Sequence, residues 1–478
     1  MLMKTVFVTG ATGNMGWPLL KRLVGRPDIR LIVLASPKDR KIQHLKEMER
    51  KGQLSLVCAD VCDRPALDEP VGIADIIIHM AAVVSPAADR LPELAMEVNL
   101  NGTRNLLAAI RTMGREASVK LVFIGSVAET GDRRPPLHWG RVGDPVKPAR
   151  FDTYALSKLR AEREVAESGL RYWVSLRQTG IMHKGLLSVR DGIIFHQPLN
   201  NCMEWISDED SAAMLEHLID SDLPEVFWRH IYNVGGGQKC RLTYYEFMEL
   251  LYKNIGIRDI IKVMEPSWFA LGNFHGQYYL DSDILEDLLH FRSESPEDFV
   301  RRIRRQLPVG IRLSGMFGTS PVKRGMSSIS SSKGGSLQWV REKDGDKIDA
   351  FYGSIGSLKL IPGWETWIPL RGTREGERII LSHGYDEDKG LEGIDFNDLK
   401  EIAAFRGGQL LSEGYDGTLW KKLAWECPVG HRFDASPGLI AHGGHFCPVC
   451  DGNWSEYDRI SASSPFFRQV YEPLRLNR

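Results

Sequence analysis

A glycine-rich turn at residues 9–16 (TGATGNMG) constrains this chain more than any other feature, because it joins an apolar strand to an amphipathic helix. Gly10 permits a tight turn, Gly13 lets the backbone approach a phosphate, and Gly16 lets the helix pack closely on the strand. The free N–H groups at the start of that helix then face the anion. In this context the pattern predicts a dinucleotide-binding loop. The predicted contacts are Gly10, Thr12, Gly13, Asn14, Met15 and Gly16.

Around this loop, from residue 4 to about 180, short β-branched apolar runs alternate with longer amphipathic stretches. Such alternation is typical of β-α-β units around a parallel sheet. The predicted strands are Thr5–Thr9, Leu31–Ala35, Leu54–Ala59, Ile76–His79, Leu121–Gly125 and Tyr172–Leu176. The predicted helices are Met15–Val24, Pro92–Met113 and Tyr154–Ser168. We therefore expect an α/β fold with a Rossmann-type, doubly wound parallel sheet.

The chain length of 478 residues predicts more than one folding unit. We assign residues 1–310 to the dinucleotide-binding and catalytic domain, in which residues 181 to about 307 are expected to cover the substrate. Residues 311–336, rich in Gly, Ser and Lys, are predicted to be a flexible linker or loop. Residues 337–478 are predicted to form a small β-rich C-terminal domain. The basic run at 301–305 is interpreted as the solvated face of a helix rather than a nucleic-acid patch.

Composition narrows the partners. Sixty-one basic and sixty-two acidic residues give a formal net charge of -1, which provides no overall field to attract nucleic acid or anionic lipid. No apolar segment is long enough to cross a bilayer, and no secretion signal is recognised at the N-terminus. Four of the seven cysteines are scattered through the first 310 residues, which favours reduced thiols. We expect a cytoplasmic protein that binds neither membrane nor nucleic acid.

A second set of residues points to the carboxyl edge of the predicted sheet. Tyr154 and Lys158 lie four residues apart and share one helix face. A tyrosine has an ordinary pKa of about 10, and a neighbouring cation favours its ionised form. Ser126 ends the fifth predicted strand, at the edge where the glycine turn also lies. These side chains are therefore expected to converge on one cleft.

Taken together, these motifs resemble the extended short-chain dehydrogenase/reductase family of the NAD-dependent epimerase/dehydratase type. TGxxGxxG is the spacing of its glycine turn, and HMAA at 79–82, VNLNGT at 98–103 and YALSK at 154–158 resemble its HxAA, VNxxGT and YxxxK segments. The resemblance is strong over residues 4–180 and weak over 181–307.

The resemblance implies roles for individual residues. Ser126 would hydrogen-bond the reacting substrate oxygen, Tyr154 would act as acid/base, Lys158 would hold the tyrosine and the cofactor ribose, and Asn99 would take the family's structural position. Further cofactor contacts are implied at Asp60, Val61, Met80, Ala81 and Ala82. Family members are often dimers, which makes a homodimer an expectation.

Two departures from the family's motifs narrow the range of expected substrates. The tyrosine that many sugar-nucleotide members carry before the glycine is Thr130 here, and the Asp-Glu pair of the sugar dehydratases is absent. A nucleotide-sugar 4,6-dehydratase is therefore disfavoured. Glu129 is either a substrate-side acid or a solvated loop carboxylate.

The segment after the second strand bears on the choice of dinucleotide. No acid occupies the expected position for binding the ribose 2′-hydroxyl. Ser36, Lys38 and Arg40 would instead favour a 2′-phosphate, so NADP is favoured over NAD. The carboxylate of Asp39 could still bind a ribose hydroxyl, so NAD stays the alternative.

The C-terminal region carries a metal-ligand pattern at Cys427, His431, Cys447 and Cys450. Thiolates and imidazole favour tetrahedral zinc, and four protein ligands indicate a structural site without a vacancy for water. His442 or His445 could replace His431, and three reduced cysteines in a small core are the alternative. The segment resembles zinc-ribbon-like modules.

The leading hypothesis is an NAD(P)-dependent oxidoreductase or epimerase. It would move hydride between nicotinamide and a small hydroxyl- or carbonyl-bearing substrate, with Tyr154 as acid/base. The alternative is a non-catalytic NAD(P)-binding sensor or scaffold that acts through the zinc module. A nucleic-acid-binding protein would need a basic groove near the metal ligands.

Overall fold

The computed structural model describes residues 3–257, 259–307, 309, 318–367 and 377–476. Its centre is a seven-stranded parallel sheet of order β11-β7-β5-β4-β1-β2-β3. The strands are β1 Lys4–Thr9, β2 Ile29–Ala35, β3 Ser55–Cys58, β4 Ile76–His79, β5 Lys120–Ser126, β7 Tyr172–Gln178 and β11 His230–Val234. This architecture confirms the predicted fold class. All six predicted strands are present, whereas β11 was not predicted.

Hydrophobic residues cover both faces of the sheet, as expected of parallel strands packed between helices. Along β1, Val6 and Val8 join the core on one face, and Phe7 between them joins the core on the other. The flanking helices of the first domain are α1 Gly16–Leu23, α2 Ile42–Arg50, α3 Asp68–Ile73, α4 Ala87–Arg90, α5 Pro92–Met96, α6 Gly102–Thr112 and α7 Thr153–Ala166.

The predicted helix Pro92–Met113 is continuous but not uniform. A π-helical turn, Glu97–Asn101, separates α5 from α6. Helix α7 begins one residue before the predicted Tyr154, because the Asp152 side chain accepts a hydrogen bond from the backbone N–H of Ala155 (2.8 Å) and caps the first turn.

A smaller portion between β7 and the end of the predicted first domain covers the carboxyl edge of the sheet. Its short strands are β8 Ile181–Met182, β9 Cys202–Glu204, β10 Ile206–Ser207, β12 Arg241–Thr243 and β13 Tyr278–Tyr279; β13 pairs with β6 Trp139–Gly140, which precedes β7 in the chain. Its helices are α8 Asp208–Asp220, α9 Tyr244–Asn254, α10 Asp283–Leu289 and α11 Pro296–Gln306.

The predicted linker is wrong where the structure describes it, from residue 318 to 336. Helix α12, Ser320–Ser331, packs Val322, Met326 and Ile329 into the core of the substrate-covering portion. These three residues follow helical spacing, and a neighbouring apolar surface outweighs the polar composition on which the prediction rested. Residues 311–317 of the predicted linker lie outside the described residues.

The expected β-rich character of the C-terminal region is confined to a three-stranded antiparallel sheet of β14 Gln409–Leu410, β15 Leu423–Glu426 and β16 Arg432–Ala435. Helices form much of the rest, namely α13 Ser336–Glu342, α14 Gly345–Tyr352, α15 Ile355–Leu358, α16 Trp364–Trp367, α17 Phe396–Phe405, α18 Pro437–Ala441, α19 Tyr457–Ser463 and α20 Pro465–Tyr471. The boundaries of the predicted domains stay a prediction.

Residues 377–476, termed the C-terminal module below, pack directly on the Rossmann sheet. Leu439 enters the core beneath β5 and β7, and the Trp420 ring meets Trp173 edge-on at 4.8 Å between centroids. In the described parts of the chain, no helix combines the length and apolar character that a bilayer span requires.

Candidate active site

The glycine turn has the geometry of a phosphate cradle. Gly10 has φ 74°, and a Cβ there would lie 2.6 Å from the backbone N of Ala81. A Cβ at Gly16 would lie 2.3 Å from the carbonyl oxygen of Gly10. Helix α1 carries no acidic residue in its first turn, and Met15 makes no capping hydrogen bond. The Trp17 N–H of this helix already donates to the Gly13 carbonyl at 3.0 Å and Pro18 has no N–H, so contacts to an anion fall to the backbone N–H groups that precede Trp17.

Polar residues after β2 lie beside this turn. The Asp39 carboxylate accepts hydrogen bonds from the Thr12 hydroxyl and from the backbone N–H of Lys41, the latter at 2.8 Å. The Lys41 ammonium donates to the Thr12 carbonyl at 2.7 Å. Lys38 and Arg40 are exposed, while Ser36 accepts a hydrogen bond from the Lys38 N–H at 3.4 Å. The segment presents basic side chains to solvent next to the glycine turn.

The segment after β4 forms a second wall of the cleft. His79 is buried and hydrogen-bonded to the Thr9 hydroxyl (2.8 Å) and the Thr103 hydroxyl (2.9 Å). Burial lowers its pKa to about 3, so the ring is neutral and structural. Met80 and Ala81, which follow His79, lie against Gly10. Both are half-buried, as is Ala82.

Two further cofactor predictions fall after β3. Asp60 is exposed, and its side chain accepts a hydrogen bond from the Cys62 N–H at 3.1 Å. Val61 is buried against Gly102, where an added Cβ would lie 2.7 Å from Val61 Cγ1. Asp60 is thus free to meet a ligand, while Val61 packs against α6.

The predicted catalytic residues converge at the carboxyl end of β5. Ser126 ends this strand, and its hydroxyl accepts a hydrogen bond from the Ala128 N–H at 3.2 Å. The Tyr154 phenol hydrogen-bonds Ser126. One turn along α7, the buried Lys158 ammonium lies 3.9 Å from the centroid of the Phe123 ring. The structure therefore brings together the hydroxyl, the phenol and the ammonium.

Asn99 holds the surrounding backbone. It lies in the π-helical turn, where its side chain accepts from the Val83 N–H (2.7 Å) and donates to the Val83 carbonyl (3.0 Å) and the Ser157 hydroxyl (2.8 Å). Asn99 thus ties the second wall of the cleft to helix α7.

The electrostatics of the site differ from the sequence argument in one respect. Burial raises the pKa of Tyr154 to about 12, and the Ser126 hydrogen bond offsets only part of this rise. Burial also lowers the pKa of Lys158 to about 8, against the opposing effect of Glu129 and Glu162. The expected lowering of the tyrosine pKa by Lys158 is not found, so Tyr154 is a neutral phenol at pH 7.

Beneath these residues lies a cluster that the sequence did not predict. The buried charge cluster consists of Glu129, Glu162, Arg177 and His445, all with 0% side-chain exposure. Arg177 Nη2 donates to Glu162 Oε1 at 2.6 Å, and its Nε lies 3.5 Å from Glu129 Oε2. Glu129 is therefore buried rather than a solvated loop carboxylate.

The two carboxyl groups of this cluster have opposite pKa shifts. Burial and the nearby Glu162 carboxylate raise the pKa of Glu129 well above its usual range. Burial would also raise the pKa of Glu162, but Arg177 and His445 hold it well below its usual range. Glu162 is thus the ionised partner of Arg177.

A second cluster lies in the C-terminal module. Cys427, His431, Cys447 and Cys450, termed the cysteine–histidine site, place their ligand atoms within 4.8 Å of one another. His431 Nδ1 lies 3.4, 3.6 and 3.4 Å from the sulfur atoms of Cys427, Cys447 and Cys450. Tetrahedral zinc–sulfur bonds of about 2.3 Å place ligand atoms roughly 3.8 Å apart. The site therefore has the donors and spacing for a tetrahedral metal ion.

The alternative histidine ligands have other partners. His442 Nε2 accepts a hydrogen bond from the Ile231 N–H at 3.2 Å, and His445 Nε2 lies 3.0 Å from Glu162 Oε1. Among the described residues, His431 is the histidine that completes the group with the three cysteines.

Part of this chain is similar in sequence to known proteins. Residues 6–181 match the model of the NAD dependent epimerase/dehydratase family. D-erythronate dehydrogenase of Cupriavidus necator is 29% identical over 199 residues, which cover 39% of this chain and 56% of that protein. An uncharacterized protein, 052L, of Frog virus 3 is 30% identical over 197 residues, covering 37% of this chain and 52% of that protein. The chain thus spans about half the length of the curated relatives it matches.

Among solved structures, dTDP-glucose 4,6-dehydratase from Bacillus anthracis, determined in complex with NAD, has a TM-score of 0.50 at 14% identity. The match covers 63% of this chain and 97% of that one, and at this identity it shows the fold alone. Residues 6–181, which contain the glycine turn and all or most of six of the seven strands of the central sheet, are therefore the part of this chain that matches the NAD-dependent epimerase/dehydratase family of extended short-chain dehydrogenases/reductases.

Proposed function

We propose that the chain is an NAD(P)-dependent oxidoreductase or epimerase that acts on a small hydroxyl- or carbonyl-bearing substrate. The observation that carries the proposal is the convergence of Ser126, Tyr154 and Lys158 beside the glycine turn. Dinucleotide binding alone does not require a hydroxyl, a phenol and an ammonium together. An active site that transfers a proton at a substrate oxygen does require them.

The cleft fits a dinucleotide. A Cβ at Gly10 or Gly16 would clash with the surrounding backbone, so the turn keeps its backbone open to a pyrophosphate. Lys158 would hold the nicotinamide ribose, and Met80 and Ala81 would border the cofactor. When bound there, NAD(P) supplies hydride transfer.

We favour NADP over NAD for this site. Lys38 and Arg40 are exposed beside the glycine turn, as a 2′-phosphate requires. The Asp39 carboxylate is engaged by Thr12 and Lys41, which makes it less available to a ribose hydroxyl. Arg40→Ala should weaken NADPH binding at least about 10-fold and leave NADH binding unchanged, a loss of about 1.5 kcal/mol or more that is typical of one hydrogen bond to a charged group. Fluorescence titration with both cofactors measures this, and equal weakening of both would contradict the assignment.

The protonation states define what the residues do. In the direction of carbonyl reduction, the neutral Tyr154 phenol donates its proton to the substrate oxygen while Ser126 donates a hydrogen bond to the same oxygen. In the direction of oxidation, Tyr154 takes the proton back. The Lys158 ammonium lies on the same helix face as Tyr154, where it would hold the cofactor ribose beside the phenol.

The C-terminal cysteine–histidine site is proposed to hold one structural zinc ion. Its four protein donors fill a tetrahedral shell, which leaves no position for activation of water. A homodimer and a cytoplasmic location stay predictions.

Turnover with and without the phenol tests the function. D-erythronate is the first substrate to examine, because one relative is a D-erythronate dehydrogenase, followed by a panel of sugar acids and nucleotide sugars. Tyr154→Phe should reduce kcat at least about 100-fold, the usual contribution of a general acid, while cofactor affinity is kept. Undiminished turnover in Tyr154→Phe would contradict the mechanism. Cofactor binding without turnover on any member of the panel would favour a sensor or scaffold.

A further inference from the structure

Helix α7 connects the active site to the C-terminal module. Its first turns carry Tyr154 and Lys158, and the next turn carries Glu162. Farther along, Arg163 donates to the Phe446 carbonyl at 2.7 Å, and Glu167 accepts a hydrogen bond from the Ser436 N–H at 2.9 Å. The module therefore contacts the same helix that supplies the acid/base residues.

One loop of the module reaches further, into the buried charge cluster. The Gly443 carbonyl accepts a hydrogen bond from Arg177 Nη2 at 2.7 Å, across 266 residues of sequence. The His445 ring is hydrogen-bonded to Glu162 at 3.0 Å, across 283 residues. Both His445 and Glu162 have 0% side-chain exposure, so water does not replace these contacts. Loop 443–445 thus supplies hydrogen bonds that the first domain does not supply itself.

The opposite side of the cluster touches the catalytic residues. Glu129 Oε1 accepts a hydrogen bond from the backbone N–H of Ser126 at 2.8 Å. Arg177 lies between Glu129 and Glu162, and both carboxyl groups act electrostatically on Lys158. A displacement of Glu162 or Arg177 would therefore disturb both the hydrogen bonding around Ser126 and the electrostatic environment of Lys158.

A buried metal ion is a poor explanation of this cluster. Glu129, Glu162 and His445 bring three ligand atoms within 4.8 Å of one another. However, the Arg177 guanidinium lies 2.6 Å from Glu162 and 3.5 Å from Glu129 and already supplies positive charge. The arrangement is that of an ion-pair network with partners from two parts of the chain.

We propose that loop 443–445 of the C-terminal module is a positioning element of the active site, which holds Glu162 and Arg177 and, through them, Ser126 and Lys158. Because His445 lies two residues before Cys447, metal binding at the cysteine–histidine site would order this loop. The proposal rests on the proposed function, since it concerns the same catalytic residues. It makes the module a requirement for efficient turnover rather than an independent appendage.

The test compares three variants of the full-length protein. His445→Ala removes the hydrogen bond to Glu162, and His445→Gln keeps a side-chain donor. His383→Ala is the matched control, because His383 is also a buried histidine of the module that bonds the first domain, at Asp144 (3.0 Å), and it is not a member of the buried charge cluster. Zinc content is checked by native mass spectrometry, and hydrogen exchange is followed in peptides covering residues 126–131 and 158–166.

We expect His445→Ala to retain zinc and to exchange at least about 10-fold faster in both peptides, because a local opening becomes easier. His445→Gln should return exchange to within about 3-fold of the unmodified protein, and His383→Ala should leave both peptides unchanged. With an active substrate, His445→Ala should lower kcat by about 10–100-fold and change the cofactor KM by less than about 3-fold, the range seen for outer partners of functional groups. Unchanged exchange in His445→Ala would overturn the proposal.

Chelation of zinc from the unmodified protein supplies a second measurement if His445→Ala does not fold. Exchange in the 126–131 peptide should then accelerate at least about 10-fold before the rest of the sheet is affected. Protection retained at 126–131 in the zinc-free protein would overturn the proposal. Exchange requires no substrate, so absence of turnover would remove the proposed function while leaving this result interpretable.

Discussion

Two clusters of side chains that could ligate a metal lie in the described part of this chain, and they differ in charge balance. The cysteine–histidine site contains three thiols and one imidazole with no guanidinium or ammonium group among the four, whereas the buried charge cluster contains two carboxyl groups, one imidazole and the Arg177 guanidinium. In both groups the ligand atoms lie within 4.8 Å of one another. The first cluster therefore lacks a cation that the second already has.

This difference shows that proximity of ligand atoms does not by itself define a metal site. Buried like charges are costly unless a cation lies among them. In the buried charge cluster that cation is part of the protein, and it joins the catalytic helix to the module. In the cysteine–histidine site, the proposed zinc ion would supply it.

The largest effect is expected at the cysteine–histidine site. Cys450→Ser removes one thiolate and should release zinc and unfold the module, because apparent zinc-binding free energies in small structural sites are about 10–16 kcal/mol. Native mass spectrometry and thermal unfolding measure both changes. Cys58→Ser, at an exposed cysteine outside the module, is the control and should change neither. Full zinc retention in Cys450→Ser would show that the ligand set is wrong.

A smaller but substantial effect is expected when the internal cation is removed. Arg177→Met should lower the free energy of unfolding by about 3–5 kcal/mol, because Glu162 would remain as an uncompensated buried charge. Adding Glu162→Gln to that variant should recover part of this loss. Urea unfolding of the single and double variants measures the effect. A cost below about 1 kcal/mol for Arg177→Met would mean that the pair is not needed for stability.

Lowering the pH should disrupt the two clusters at different pH values. Protons compete with metal for thiolates and imidazole, so zinc should dissociate as the pH falls below 7. Glu162 has a folded-state pKa below its unfolded value of about 4.3, so its stabilising contribution is present above that pH and is lost only as the pH falls through the folded value. Zinc release followed with a chromogenic chelator should precede any loss of the stability difference between Glu162→Gln and the unmodified protein. If the stability difference between Glu162→Gln and the unmodified protein disappeared while zinc was still bound, the buried charge cluster would be the more acid-sensitive of the two, contrary to this prediction.

The smallest effect is expected outside both clusters. Gly325 lies inside helix α12, and an added Cβ would meet no atom within 4 Å. Gly325→Ala should therefore raise the free energy of unfolding by about 0.5–1 kcal/mol, because glycine is a poor helix former. Chemical unfolding measures this increase. A decrease would indicate that residues 320–331 are not helical in solution.

The sequence predicted those parts of the molecule whose chemistry is local. The glycine turn, the six strands and the Tyr154–Lys158 pair each follow from residues close together in the chain. The structure places the glycine turn and the Tyr154–Lys158 pair at the same edge of the sheet that these strands form. The three cysteines and His431 were recognisable from their spacing and are clustered as expected.

Contacts across hundreds of residues could not be predicted in the same way. His445 was considered as a metal ligand because of its position near Cys447, and its contact with Glu162 has no signature in the sequence. Glu129 looked like a loop carboxylate because its burial depends on Arg177 from a different strand. The helix at Ser320–Ser331 was missed because its polar composition concealed an apolar face that only a neighbouring surface makes useful.

Native mass spectrometry of the full chain with added NADPH tests the account most directly, because it counts metal ions and dinucleotides on the same molecule. We expect one zinc ion and one bound dinucleotide per chain. Cys450→Ser, measured while the dinucleotide-binding domain is still folded, should lose the zinc mass and keep the dinucleotide mass. A second metal ion lost on Glu129→Gln would contradict the assignment of the buried charge cluster as an ion-pair network. Absence of dinucleotide binding at saturating NADPH and NADH would contradict the proposed function.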